Sequence, residues 1–409
     1  MNTAVYIIFA LTYVLIASRR LRVLPIGRPA GALLGAVLMV AVGALAPQES
    51  YGAVDGNTIV LLFGMMILTA YLERAEFFRW ATAKILLRVR TPWGLLWRLS
   101  LLSGVLSAFL VNDAVCLFLT PVVVSVCTTA GLPLGPYLIG LATSANIGSA
   151  ATLVGNPQNM IIGSLSGFPF TEFLLYAGPA AGVGLLINIA LLRRYYGQRL
   201  PAAFAANAEA GNTVALSRSL AFVLLVVALV VVGFFAGFHL GYTTLAGSLV
   251  LIIADRREPR EAFARVDWSL LVFFSCLFVV VEGLDRTGLV ERAWSGTMPY
   301  LSLHRPDGLA VFSGLMTLGS NLVSNVPMVL LIGPRLGELG PERTGWILLA
   351  FTTTVAGNFT LIGSVANIIV AEGAKSRYTL GFFEYLRFGL ISTLLVLAAG
   401  VTLLRLLLP

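Results

Sequence analysis

Thr152-Leu153-Val154-Gly155-Asn156-Pro157-Gln158-Asn159 is the stretch that decides the fold, because it returns 208 residues later as Thr360-Leu361-Ile362-Gly363-Ser364-Val365-Ala366-Asn367. Both copies lie inside long apolar runs. Gly, Asn and Pro are costly at the centre of a membrane helix, since the backbone groups that they free meet no water there. Two such breaks at matching places predict a substrate site built from broken helices.

The rest of the composition agrees with a membrane setting. With 58% hydrophobic and 11% charged residues, the 409-residue chain is far too apolar for a soluble globular protein. Runs such as 57–72, 219–237 and 381–404 suffice, or nearly so, to cross ~30 Å of hydrocarbon. The expected fold class is an all-α polytopic membrane protein. The net charge of +8 reads as topology, with no nucleic-acid partner. Arginines gather at the ends of apolar runs: Arg19, Arg20, Arg22 and Arg28; Arg79 to Arg90; Arg193, Arg194 and Arg199; Arg256 to Arg265; and Lys375 with Arg377. Such clusters mark cytoplasmic loops, whereas 47–56 and 166–171 carry no Lys or Arg. That pattern places the N-terminus outside the cytoplasm, in a multi-pass protein of the cytoplasmic (inner) membrane. The first run, 4–18, has its charges after the apolar stretch and reads as an anchor, not a cleavable signal. Cys116, Cys127 and Cys276 form an odd set in apolar runs, which is no disulfide framework.

The repeat extends beyond the opening motif. At an offset of 212, Asp55 matches Asp267, Glu73 matches Asp285, and Asn112-Asp113 falls on Ser324-Asn325. Phe170-Thr171-Glu172-Phe173 likewise matches Phe382-Phe383-Glu384-Tyr385. This divides the chain into a first repeat (1–196), a polar cytoplasmic linker (197–217) and a second repeat (218–409). Loop 47–56 lacks Arg while its partner 255–267 is Arg-rich, so the repeats are inverted and each crosses an odd number of times. Five crossings per half are expected: 4–18, 29–46, 57–75, 135–165 and 172–193, then 217–237, 241–254, 268–285, 343–371 and 381–408. The stretch 76–90 suits the interface. Segments 97–128 and 309–338, each with a polar turn, are expected to be re-entrant hairpins. Segments 135–165 and 343–371 are the broken helices.

Asp113 is the one acid deep within a hairpin, where a carboxylate costs several kcal/mol unless paired, protonated or solvated. It reads as a coupling site for H⁺ or Na⁺ in preference to a mere helix cap, a role with which coupling is compatible. Asn325, its partner by offset, keeps the shape without the charge. The half-helix N-termini after Gly155-Asn156-Pro157 and Gly363-Ser364 suit an anion or a polar oxygen. Asn112, Asn146, Asn159, Asn325, Asn358 and Asn367 are hard oxygen ligands for Na⁺ or a hydroxylated solute, with Na⁺ expected near Asn112, Asp113 and Asn325. Small residues such as Gly148 and Ser149 have a simpler role in helix packing. Cys116 is structural filler. His239 and His304 lack metal-ligand spacing, and Glu282 sits near a helix end. No cofactor motif is present. The absence of a Walker loop argues against a built-in ATPase and leaves a separate ATPase subunit open. No nucleophile–base pair suggests an enzyme.

These residues resemble the ion transporter superfamily of arsenite/antimonite permeases, NhaD-type sodium/proton antiporters, and citrate and dicarboxylate symporters. The likeness covers essentially the whole chain and looks closest to the arsenical-permease-like anion permease branch. It is carried by Phe109-Leu110-Val111-Asn112-Asp113 with Leu119-Thr120-Pro121, by Gly155-Asn156-Pro157-Gln158-Asn159, and by Ser324-Asn325-Val326-Pro327. The resemblance implies scaffold and transport domains, opposed hairpins, elevator-like alternating access and often a homodimer. Family sites map onto the tips (Asn112, Asp113, Ser324, Asn325) and the breaks (Thr152, Gly155, Asn156, Pro157, Asn159, Thr360, Gly363, Ser364, Asn367). The Ser-Asn-Thr tips of the dicarboxylate branch stand here as Val111-Asn112-Asp113 and Ser324-Asn325-Val326. The proline of that branch's second break is missing from Ser364-Val365-Ala366.

The expected function is an ion-coupled secondary carrier of a small inorganic oxyanion or oxyacid, arsenite or antimonite first. Na⁺/H⁺ antiport and sodium-coupled carboxylate symport are the alternatives, and a passive channel fits least. Segments 111–163 and 323–370 contain only Arg335 and Arg343 as basic residues, so no fixed cation is expected in the site.

Overall fold

Backbone groups in hydrocarbon must be paired within their own segment, which favours helices throughout. The computed structural model describes residues 2–17, 27–87, 89–204, 215–256, 258–303 and 305–408, and among these there are helices and turns but no strand. Arg19, Arg20, Arg22, Arg88, Arg257, His304 and the middle of the linker (205–214) lie outside the described residues. Six described helices are long and apolar enough to cross a membrane: Gly56–Arg74, Asn112–Thr129, Phe170–Tyr196, Arg218–Phe235, Trp268–Asp285 and Phe382–Leu407. The chain is a multi-pass membrane protein.

Two sets of helices pack mainly among themselves. The outer set is Asn2–Ala17, Arg28–Ala41, Gly56–Arg74, Arg218–Phe235, Leu240–Asp255 and Trp268–Asp285. Its repeated aspartates are caps: Asp55 accepts from Asn57 N and Thr58 N, and Asp267 accepts from Leu270 N. The inner set holds the hairpins and broken helices. The first hairpin runs Pro92–Phe109, turns at Leu110-Val111, and continues as Asn112–Thr129. The second runs Pro306–Val323, turns at Ser324, and continues as Asn325–Ile332 into a 3₁₀ segment, Gly333–Leu339. The broken helices are Leu134–Ser149 with Pro157–Ser166, and Glu342–Ala356 with Val365–Ala374. Elements of one half pack on the other half: Pro157–Ser166 lies on Asn325–Ile332, and Val365–Ala374 on Asn112–Thr129. Gly148 is a packing residue, since a Cβ there would meet the Gly104 carbonyl oxygen at 2.0 Å.

A helix that stops inside the core leaves unpaired carbonyls. The same clamp satisfies them in both halves. Asn159 Nδ2 donates to Ser149 O (3.2 Å) and Thr152 O (2.9 Å). Asn367 Nδ2 donates to Gly357 O (2.7 Å) and Thr360 O (3.1 Å), each partner displaced by the same 208 positions. The residue before each half-helix then reaches across: Asn156 Nδ2 to Thr354 Oγ1 (3.3 Å), and Ser364 Oγ to Asn146 Oδ1 (3.0 Å).

Asn146 is the hub of this lattice. Its Nδ2 donates to Asn358 Oδ1 and Asn367 Oδ1, both at 2.9 Å. Its Oδ1 accepts from Ser364 Oγ and from Asn112 Nδ2 (3.1 Å). The full capacity of one amide is used, in a residue only 1% exposed. Asn146→Ala strands four buried partners, each worth about 1–3 kcal/mol. The expected outcome is a marked drop in the unfolding temperature of the detergent-solubilised protein, and an unchanged unfolding temperature would contradict the hub role.

Candidate functional site

Four helices begin at one cavity of about 90 Å³: Asn112–Thr129, Pro157–Ser166, Asn325–Ile332 and Val365–Ala374. The cavity is lined by Asn112 and Asp113, Pro157 and Gln158, Asn325 and Val326, and Ser364 and Val365. Each N-terminus carries the positive end of a helix dipole, although Asn112 N, Asp113 N and Asn159 N are bonded within the chain. The geometry follows from the local sequence. Asn112 N donates to Gly155 O at 2.9 Å, tying the first hairpin tip to the first break. A Cβ at Gly155 would meet Ser149 O at 2.3 Å, so only glycine permits this approach. At the second tip Ser324 has φ 75° and ψ 159°, a conformation that L-residues rarely adopt. The strain sits on the cavity wall.

The cavity's polar groups divide into satisfied and unsatisfied ones. Asn325 Oδ1 and Ser320 Oγ are buried without a hydrogen-bond partner, in residues only 8% and 1% exposed. Both line the cavity. Tyr13 Oη on the same cavity is a third buried oxygen without a hydrogen-bond partner, whereas buried polar groups are normally paired. Asp113 is the cavity's acid, in the first turn of an 18-residue helix whose dipole favours a negative charge. Its backbone N–H is held by Asn112 Oδ1 at 2.9 Å. Arg28, at the start of Arg28–Ala41, is the basic residue on the wall. Tyr13, Ile16, Phe273 and Phe274 from the outer set close the remaining side.

Among the residues singled out from the sequence, Asn112, Asp113, Pro157, Ser324, Asn325, Gly363 and Ser364 line this cavity. The others stand behind it. Asn146, Asn156, Asn159, Asn358 and Asn367 spend their amides on the lattice, and Thr152 donates to Ala108 O. Thr360 donates to Asn321 Oδ1 at 3.0 Å. Gly155 acts through its backbone. Asn112 and Asn325 occupy the first position of their helices, so Asp113 corresponds by position to Val326, one residue away from the pairing that the offset of 212 suggests.

The expectation that the site holds no fixed cation is corrected by Arg28. It had been counted only with a cytoplasmic charge cluster, because nothing local links residue 28 to residue 113. Ser320 and Asn321 were also missed, although two polar residues one turn before the Ser324-Asn325 tip were a visible signal. Gln158 belongs to the quoted motif and its Nε2 donates to Thr354 Oγ1 at 3.3 Å. Cys116 is buried away from the cavity, and His239 caps Leu240–Asp255. No group of three or more metal-binding side chains occurs among the described residues.

The geometry can be set beside known proteins. The sequence pattern of the citrate transporter family, CitMHS, matches residues 13–356. The chain is 33% identical to the putative transporter arsB of Dictyostelium discoideum, over 97% of this chain and 91% of that protein. It is 34% identical to the silicon efflux transporter LSI3 of Oryza sativa subsp. japonica, over 93% of each. Among solved structures, the YdaH transporter of Alcanivorax borkumensis matches with a TM-score of 0.58, covering 98% of this chain and 96% of that one. At 15% identity that likeness concerns the fold alone. With a family pattern across most of its length and relatives matched nearly end to end, this chain belongs to the citrate transporter family, close to transporters of the arsB and LSI3 kind.

Proposed function

We propose that this protein is a secondary active transporter for a small polyhydroxylated oxyacid or its oxyanion, coupled to a proton or Na⁺, in the cytoplasmic membrane. The observation that carries the reading is the cavity where four helix N-termini meet one carboxylate, one guanidinium and three unpartnered oxygens, those of Tyr13, Ser320 and Asn325. An undissociated oxyacid such as arsenious, antimonous or silicic acid offers several O–H groups and oxygens on a compact centre. Its O–H groups would donate to Asn325 Oδ1 and Ser320 Oγ, and its oxygens would accept from the helix N-termini. A neutral solute avoids the cost of burying an unpaired charge. The names of the relatives, arsB and a silicon efflux transporter, support that class. A cavity of about 90 Å³ holds a solute of this size, being several times the roughly 10–15 Å³ that one water requires.

In this reading Asp113 takes the coupling ion, and the oxygens of Asn112, Asp113 and Asn325 would surround Na⁺ if Na⁺ is used. The lattice through Asn146 makes both breaks one stiff unit. Such a unit suits elevator-like movement of the inner set against the outer set, between inverted repeats with the N-terminus outside the cytoplasm. Arg28 favours a second reading, a carboxylate or other organic anion, in keeping with the family's description. A lone acid argues against Na⁺/H⁺ antiport.

Proteoliposomes loaded with silicic acid, arsenite or citrate, under an imposed pH or Na⁺ gradient, separate the readings. Gradient-driven movement of the oxyacids with indifference to citrate is the expected result, and the converse would establish the carboxylate reading in its place. Asp113→Asn is expected to lower gradient-driven flux by about tenfold or more, because the intramembrane titratable group is lost. Arg28→Gln should raise the KM for an anionic solute by about tenfold and leave a neutral one within about threefold, the difference made by one charge-assisted hydrogen bond. Equal effects on both would remove Arg28 from recognition.

A further inference from the structure

Asp113 lines two cavities. The second, of about 320 Å³, lies between Asn112–Thr129 and Gly56–Arg74 and against the starts of Trp268–Asp285 and Val365–Ala374, and Val365 lines both cavities. Its walls are mostly apolar, including Met66, Ala114 and Phe118. Its other charged residues are Glu73 and Arg265, which form an ion pair, and Asp267, which caps its helix. Glu73 and Arg265 side chains are 34% and 47% exposed.

The two cavities differ in what they can carry. The first has unpartnered amide and hydroxyl oxygens and four helix N-termini, a setting for a hydroxylated solute. The second has none of these unpartnered oxygens on its wall. Two carboxylates and one guanidinium at its mouth leave a net negative field, which draws cations and repels oxyanions. Na⁺ would need several oxygen ligands to replace its water, and the wall beyond the mouth offers few. A proton needs only water and an acceptor. Among the described residues, the charged and titratable groups lining the cavities around Asp113 are Arg28 and Tyr13 on the first, and Glu73, Arg265 and Asp267 on the second. Helices Pro92–Phe109, Leu134–Ser149 and Val365–Ala374 bring no acid or base to either cavity. Cys116, one turn along the same helix, lines neither.

We propose that Asp113 exchanges its coupling proton with bulk water through this second cavity, past Glu73, Arg265 and Asp267, while the solute uses the first. The proton leaves a hydronium ion, which becomes water, and bonds to one carboxylate oxygen of Asp113 and neutralises it; breaking that bond passes the proton back to a water molecule, which becomes hydronium. Separate routes let Asp113 titrate while a bound solute plugs the first cavity. This rests on Asp113 being the coupling group.

Two measurements test it. In protein with the three native cysteines replaced, Ala114→Cys and Met66→Cys are treated with small charged, membrane-impermeant thiosulfonates. Reaction from the Arg265 side, roughly fivefold or more faster with the cationic than the anionic reagent, is the expected result. No reaction from water, as in a cavity filled by lipid, would overturn the route whether or not any solute is transported. The second measurement compares proton-driven net flux with solute exchange at equal concentrations. Glu73→Gln should slow net flux by roughly fivefold, with exchange kept within about twofold, since exchange needs no net proton movement. Glu73→Asp should restore net flux. Equal loss of both rates would assign Glu73 a structural role and defeat the proposal. Absence of any gradient-driven flux in the parent protein would instead defeat the transport reading, leaving the labelling result to stand alone.

Discussion

A helix interrupted in the middle of a membrane protein must find a partner for every backbone group that it releases, and side-chain amides meet that demand here. Asn159 and Asn367 each close two carbonyls at a break, and Asn146 joins both breaks and the first hairpin tip through a fully used amide. The rest of the site depends on this. Once the breaks are held, the half-helices Pro157–Ser166 and Val365–Ala374 start at a defined point and aim their N-termini at one cavity. A flexible break would scatter those dipoles and leave the space between them without a consistent field.

Around that cavity the two halves are alike in framework and unlike in chemistry. The clamps repeat atom for atom in type, yet the carboxylate belongs to the first half and the unpartnered Asn325 and Ser320 oxygens to the second. The peripheral anchors diverge as well. In the second half, buried Arg335 from the hairpin's 3₁₀ extension pairs with Asp285 and Glu291 and also donates to Leu331 O. In the first half Glu73, the counterpart of Asp285, pairs with Arg265 from the outer set instead. The first hairpin is therefore not tied down in that way, and a cavity lies beside it. Symmetry supplies the frame, and the departures from it lie in the cavity's chemistry and the peripheral ion pairs.

Much of the architecture was legible because breaking a membrane helix needs unusual residues. The breaks expected within 135–165 and 343–371 occur at 150–156 and 357–364, where Gly, Asn, Pro and Ser interrupt apolar sequence. The second hairpin turns at Ser324 of its polar pair, whereas the first turns at Leu110-Val111, just before Asn112-Asp113, which open the next helix. Repeated Asp55 and Asp267 were legible as repeats and prove to be helix caps. Length was less informative. Asn112–Thr129 is long and apolar enough to cross a membrane and yet is one arm of a hairpin.

The site was only half legible. Six asparagines with the same side chain and similar surroundings looked equally suited to bind a solute. Five of them, Asn112, Asn146, Asn159, Asn358 and Asn367, bond to the chain, whereas Asn325 keeps an oxygen for the cavity. Arg28 was out of reach altogether, since it meets Asp113's cavity only through the packing of Arg28–Ala41 on the rest of the outer set. By itself the sequence determined where the helices stop, because Gly, Pro and Asn act on the backbone within a few residues. Which amides are consumed and which face a solute was decided by the tertiary structure, because a hydrogen bond depends on distance in space, and the partners of Asn146 lie as far as 221 residues along the chain.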